Sequence, residues 1–313
     1  MKNPMKILIA ALTVTITVAA CVPSAENNEQ LNITMLKGPT GIGAVKLMEE
    51  SSYNITIANA ADEITGKILS GEADIAAVPT NLAAVIYNKT DGKISVLAVN
   101  TLGVLYVLEN GESIGSVSDL SAKTIYMAGQ GGVPEYVFKY ILDKNGISDV
   151  QFVYTSEHAE TASALLSGEA KVVVLPEPNV TAVTMKNTDI NVALDLNEEW
   201  AKVSDSQMAM GCIIVRNKVL ESNRETVNEF LDEYEDSINY VMDNVLEASK
   251  LVEKYGIMQS AESAEKAIPK SNICYIEGEE MRTILENFYG VLFDAEPKSV
   301  GGAMPPSEFY YEK

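Results

Sequence analysis

Two short glycine-rich turns are the stretches of this chain best suited to hold another molecule. Gly38-Pro39-Thr40-Gly41 follows the apolar run 31–36, and Gln130-Gly131-Gly132 follows the run 124–128. Each run reads as a strand, and each turn opens a helical pattern. The first amides of a helix lack an intrahelical acceptor, so they project beyond its end. Together with the helix dipole they favour a negative or acceptor group, and glycine lets that group approach the backbone closely. Neither turn fits the dinucleotide fingerprint or the Walker pattern. Polar side chains follow other strand ends: Thr80-Asn81 comes after Pro79, and Asn100-Thr101 after the run 94–99. Both pairs are also ordinary turn formers. Glu177 stands between Pro176 and Pro178 past a further strand. A carboxylate there accepts hydrogen bonds from a donor end of a ligand. Tyr126, Tyr136 and Tyr140 offer rings to a planar ligand, although the i, i+4 spacing of Tyr136 and Tyr140 favours packing.

The chain offers little to catalysis. Gly111-Glu112-Ser113-Ile114-Gly115 fits G-x-S-x-G, with a strand-like run, 104–108, before it. A nucleophile elbow needs a helix directly after the serine, and here a short link leads into another strand. A hydrolase using Ser113 is therefore the minor alternative. His158 is the only histidine and reads as a surface or helix-capping residue. With one histidine and no CxxC pair, neither a zinc site nor any other metal or cofactor is expected. Cys212 and Cys274 leave a disulfide and two free thiols both open. The three arginines, Arg216, Arg224 and Arg282, avoid the strand-end loops. A bidentate guanidinium clamp on a carboxylate is therefore not expected.

The candidate residues sit in a unit that occurs twice. Glu63 to Pro79, EITGKILSGEADIAAVP, matches Glu160 to Pro176, ETASALLSGEAKVVVLP, at an offset of 97 residues. Upstream of each copy lie a strand, a glycine turn, a helix and an alternating strand. Alternating strands and helices imply parallel strands joined by right-handed crossovers. Gly71 and Gly168 suit the left-handed end of a helix. A repeat this long is no solenoid, and two open α/β units suggest two lobes with the ligand beyond the carboxyl ends of the strands.

The first residues read as an export leader. Lys2 and Lys6 precede the uncharged run 7–20, which is too short to span a bilayer and suits a signal peptide. Lys2 and Lys6 leave with it, so 21 basic residues face 44 acidic ones, a net charge of −23. Such a surface repels phosphate backbones and excludes nucleic acid as a partner. Val18-Ala19-Ala20-Cys21 resembles the bacterial lipobox. That resemblance implies cleavage after residue 20, a lipid on Cys21 and a solvated tether over 21–30.

The order of these segments resembles the solute-binding proteins of ABC importers, in the branch that handles nitrate, alkanesulfonates such as taurine, and the pyrimidine precursor of thiamine. KGPTGIGAVKLM (37–48), SGEADIAAVPTN (70–81), SVSDLSAKTIYMAGQGGVPEYV (116–137) and LPEP (175–178) carry it. The resemblance implies a two-lobed type II periplasmic-binding-protein-like α/β fold. Each lobe would be a mostly parallel sheet flanked by helices, with the ligand cleft between them. Lobe one would comprise 31–119 and 208–313, and lobe two 120–207. It further implies a monomeric, non-enzymatic receptor outside the membrane, held by its lipid and partnered by ABC permease subunits. Its solute would be a sulfonate- or nitrate-like anion, or alternatively the thiamine pyrimidine.

Overall fold

The computed structural model describes residues 30–50 and 52–313; the leader and Cys21 lie outside them. Strand β1 (Asn32–Leu36) leads into helices α1 (Pro39–Gly43) and α2 (Val45–Glu50). Strand β2 (Asn54–Ala58), helix α3 (Ala61–Ser70), strand β3 (Ile75–Pro79), helix α4 (Thr80–Lys89) and strand β4 (Ile94–Thr101) follow. The chain then makes β5 (Leu105–Asn110), β6 (Thr124–Ala128), α5 (Val133–Lys144), β7 (Gln151–Thr155), α6 (His158–Ser167), β8 (Val172–Pro176), α7 (Asn179–Lys186), β9 (Ile190–Asp195) and α8 (Leu196–Ala201). It ends through β10 (Gly211–Arg216), α9 (Asn217–Ser222), α10 (Arg224–Asp243), α11 (Val245–Lys254), α12 (Ala261–Ala267), β11 (Ile273–Ile276) and α13 (Gly278–Ala295).

The strands form two sheets, one per lobe: β11-β4-β10-β3-β1-β2 and β7-β6-β8-β5-β9. β1, β2 and β3 are parallel, as are β6, β7 and β8. These trios are the two copies of the repeat. Gly71 and Gly168 end α3 and α6 in the left-handed conformation, with φ of 82° and 79°, where a side chain would be strained. Most strands of each sheet run the same way, β1 to β4 in the first and β6 to β9 in the second, with β10, β11 and β5 reversed. β10 runs antiparallel to β3 and β4, and β5 runs antiparallel to β8 and β9. Those strands are entered by links that pass between the sheets instead of by βαβ crossovers.

The lobe boundary also departs from residue 119. β5 belongs to the second sheet, so the chain changes lobe between Thr101 and Leu105. Both neighbouring positions of β4 are taken by β10 and β11, so apolar β5 finds its partners in the other lobe. The return falls between Asp195 and Gly211. Gly103 lies in the first crossing, where an added Cβ would stand 2.2 Å from Asn197 Oδ1. Trp200 of α8 touches Tyr140 of α5 and Phe288 of α13, with ring centroids 5.1 and 5.6 Å away, and ties the lobes beside the crossings.

Lobe one is finished by the last residues. Tyr310 bridges to Val96, and the Tyr311 amide donates to the Val96 carbonyl at 2.9 Å. Cys212 on β10 and Cys274 on β11 flank β4 from opposite sides. Two strand spacings, about 9.6 Å, exceed what a disulfide spans. Both thiols are free, and burial pushes Cys274 up to about 12 and Cys212 further still.

Candidate functional site

The carboxyl ends of β3 and β6, with the starts of α4 and α5 that follow them, meet between the lobes. The lobes meet along this seam. Asn81, in the first turn of α4, donates through Nδ2 to the Gly131 carbonyl of the second glycine turn at 3.3 Å. The same Nδ2 donates to the Ser299 carbonyl at 3.2 Å. With both amide hydrogens committed, Asn81 Oδ1 is buried without a partner. Further along the seam, Ser263 Oγ of α12 donates to Met185 Sδ of α7 at 3.4 Å.

Glu177 is buried to within 1% of its surface, at the end of β8. Its amide donates to the Val104 carbonyl at 3.0 Å, beside the crossing. Its carboxylate accepts from Thr181 N at 3.1 Å and Thr181 Oγ1 at 2.9 Å. Burial raises the carboxyl above its usual range, against the pull of Thr181 and Lys270. Lys270 lies in the 3-10 turn Ile268–Lys270 after α12. It was missed in the sequence because it falls outside the repeat.

Several candidates are committed elsewhere. Thr40 Oγ1 donates to the Leu36 carbonyl at 2.5 Å, and Thr80 Oγ1 to the Ala209 carbonyl at 2.6 Å. Both hydroxyls fasten turns. Asn100 is fully buried, with Nδ2 donating to Tyr234 Oη at 3.0 Å and Oδ1 accepting from Thr101 Oγ1 at 3.3 Å. This pair therefore braces the interior of lobe one. Gly38, with φ of 123°, shapes the turn with Pro39 and Gly41 at the mouth of α1. Gln130 and Gly131 remain exposed, and Gly132 precedes α5.

The two lobes differ in how their helix starts are filled. In lobe two, Glu135 accepts from Gly131 N at 2.5 Å, Glu160 from Ser156 N at 2.8 Å, and Glu177 from Thr181 N. Thr181 lies in the first turn of α7, whereas Gly131 and Ser156 lie just before α5 and α6, so each of these helices has a carboxylate bonded to an amide at or just before its start. Burial works against the Glu135 carboxylate, but bonds from Lys139, Tyr154 and Gly131 hold it below the usual range. In lobe one, α1, α3 and α4, like α5, α6 and α7, have no bond from the N-cap side chain. Asp62 and Glu63 on α3 are exposed.

His158 is half-buried and is not the cap, which falls at Glu157. It opens α6, its Nδ1 is buried without a hydrogen-bond partner, and burial lowers its pKa to about 4. Ser113 sits in a loop, where its Oγ donates to Glu109 and accepts from Lys123 Nζ at 3.0 Å. The next helical turn begins only at Val117, so there is no nucleophile elbow. Among the described residues no cluster of three potential metal-binding His, Cys, Asp or Glu occurs, and no helix is long and apolar enough to cross a membrane.

The sequence model of the NMT1/THI5-like family matches residues 54–248. The chain belongs to that family. Its fold is shared with an ABC transporter protein from Parabacteroides distasonis, at TM-score 0.77 and 23% identity over 91% of this chain and 99% of that one. The periplasmic aliphatic sulphonate binding protein of Escherichia coli aligns at 0.73 and 14% identity, covering 91% and 92%. The periplasmic nitrate-binding protein of Synechocystis aligns at 0.60 and 12%, covering 75% and 68%. No curated protein matches the chain. This NMT1/THI5-like protein thus has the two-lobed fold of ABC-importer binding proteins.

Proposed function

We propose that this NMT1/THI5-like protein is the solute-binding component of an ABC import system, a monomer working outside the membrane. It would be anchored there by a lipid on Cys21 and would hand its solute to permease subunits. The observation that carries this is the seam itself. Helix starts of both lobes converge on it, and a single asparagine reaches across it from Asn81 to Gly131. Such lobes close on a ligand by hinge motion about their crossings. The role is capture.

The structural relatives named for their ligands bind a sulphonate and a nitrate, which supports an anion. A second reading rests on lobe two. A bare oxyanion would meet the carboxylates of Glu135, Glu160 and Glu177 at three helix starts. A solute with a hydrogen-bond donor at one end, such as an aminopyrimidine or an amino-sulfonate, suits Glu177 better.

A thermal-shift series on the chain lacking residues 1–21 tests both readings, with nitrate, ethanesulfonate, taurine and aminopyrimidines as probes. A solute at 100 times its dissociation constant stabilises by about 2.7 kcal/mol. Closure should also change the fluorescence of Trp200, the only tryptophan. Hits confined to nitrate and ethanesulfonate would discard the donor reading. A broad panel without stabilisation or fluorescence change would count against solute capture.

A further inference from the structure

A cavity of about 400 Å³ lies on lobe one beside the closing strap. Two of the chain's three arginines line it, Arg224 at the start of α10 and Arg282 on α13. Each rests on a ring of the strap. The Arg224 guanidinium lies 5.1 Å from the centre of the Tyr311 ring, and that of Arg282 5.8 Å from the centre of the Tyr310 ring. Arg282 shares its charge with Glu286 and Glu279, at 2.9 and 3.7 Å. Arg224 is exposed and has no carboxylate partner among the described residues. It also opens a helix, where the dipole disfavours a cation. The two tyrosine hydroxyls differ as well. Tyr311 Oη donates to Asn228 Oδ1 at 2.7 Å, whereas Tyr310 Oη is buried without a partner. Glu308 and Glu312 line the same cavity.

We propose that this cavity is a second binding site, separate from the seam, for a small zwitterion with a carboxylate at one end and an ammonium at the other. Arg224 offers the planar fork that suits a carboxylate. Tyr310 Oη supplies a donor that the protein itself leaves unused. Glu308 and Glu312 suit the ammonium, and their charge disfavours a polyanion such as phosphate. The volume falls in the range of small-molecule sites and suits a dipeptide. Every lining residue belongs to lobe one, so occupation needs no movement of the lobes.

Isothermal titration calorimetry of the full chain tests the site, with glycyl-leucine as the probe and acetate and ethylamine as its separate ends. Glycyl-leucine should bind more tightly than either end. Arg224 is exposed, so Arg224→Gln should fold, and it should weaken the dipeptide by about tenfold or more. Tyr310→Phe should also weaken it, yet leave the melting temperature unchanged or raised, because the hydroxyl it removes has no partner. Asn81→Ala, at the seam, should leave the affinity as it was. No saturable binding at millimolar glycyl-leucine would overturn the site, and acetate binding as tightly as the dipeptide would overturn its zwitterion class. Binding that survives Arg224→Gln and is lost in Asn81→Ala would assign the dipeptide to the seam and overturn the second site.

Discussion

Removing His158 should flatten the loss of stability that this protein suffers on mild acidification. Burial lowers the ring's pKa from 6.5 to about 4. The folded ring therefore stays neutral where the unfolded ring takes up a proton. The contribution is complete above pH 6.5, shrinks as pH falls through the window from 6.5 to about 4, and is gone below it. At 1.36 kcal/mol per pH unit the full effect is about 3 kcal/mol, and about 2 kcal/mol has been lost by pH 5. His158 is the only histidine, so no other imidazole contributes. The assay is urea unfolding of wild type and His158→Gln at half-unit steps from pH 7.5 to 4.5. Carboxylates titrate in both proteins and cancel in the difference. The two stability curves should converge by about 2 kcal/mol between pH 7.5 and pH 5. Parallel curves, or a folded-state histidine titrating near 6.5 by NMR, would refute the reasoning.

Two further outcomes follow from packing. Gly103→Ala places a methyl within 2.2 Å of Asn197 Oδ1, so it should lower stability by about 1–3 kcal/mol; an unchanged melting temperature would show that the crossing yields freely. Unfolding in the absence of reductant should leave Cys212 and Cys274 both reactive toward alkylation, as strands on opposite sides of β4 require. An intact mass two hydrogens short would contradict that arrangement.

The repeat made much of the fold legible. IAAVP and VVVLP are interior strands wherever they sit, and the glycines after LS fix the helix ends before them. The placement of β5 was not legible, because an apolar strand announces burial without naming its partner. Asn81 and Asn100 look alike in sequence, each an asparagine past a strand. One reaches Gly131 across the seam, while the other donates to Tyr234, 134 residues away, inside its own lobe. Glu177 was identifiable from its place at a strand end. Lys270 was not, since nothing local couples it to a residue 93 positions earlier. The burial of the His158 ring nitrogen was hidden for the same reason: a polar residue at a helix start usually faces water.

The two lobes are also written differently along the chain. The strands of lobe two fall within one uninterrupted stretch, Leu105–Asp195, whereas lobe one joins β1 to β4 with β10, β11 and a strap at Tyr310 and Tyr311. A chain emerging from its amino end meets every partner for the second sheet before Gly211 appears. The first sheet must wait: its strand β4 lacks both neighbours until β10 and β11 arrive. Contacts of long sequence separation form late because their loops cost entropy to close. Lobe two is thus the early folding unit, and the half that opens the sequence is the last to be completed.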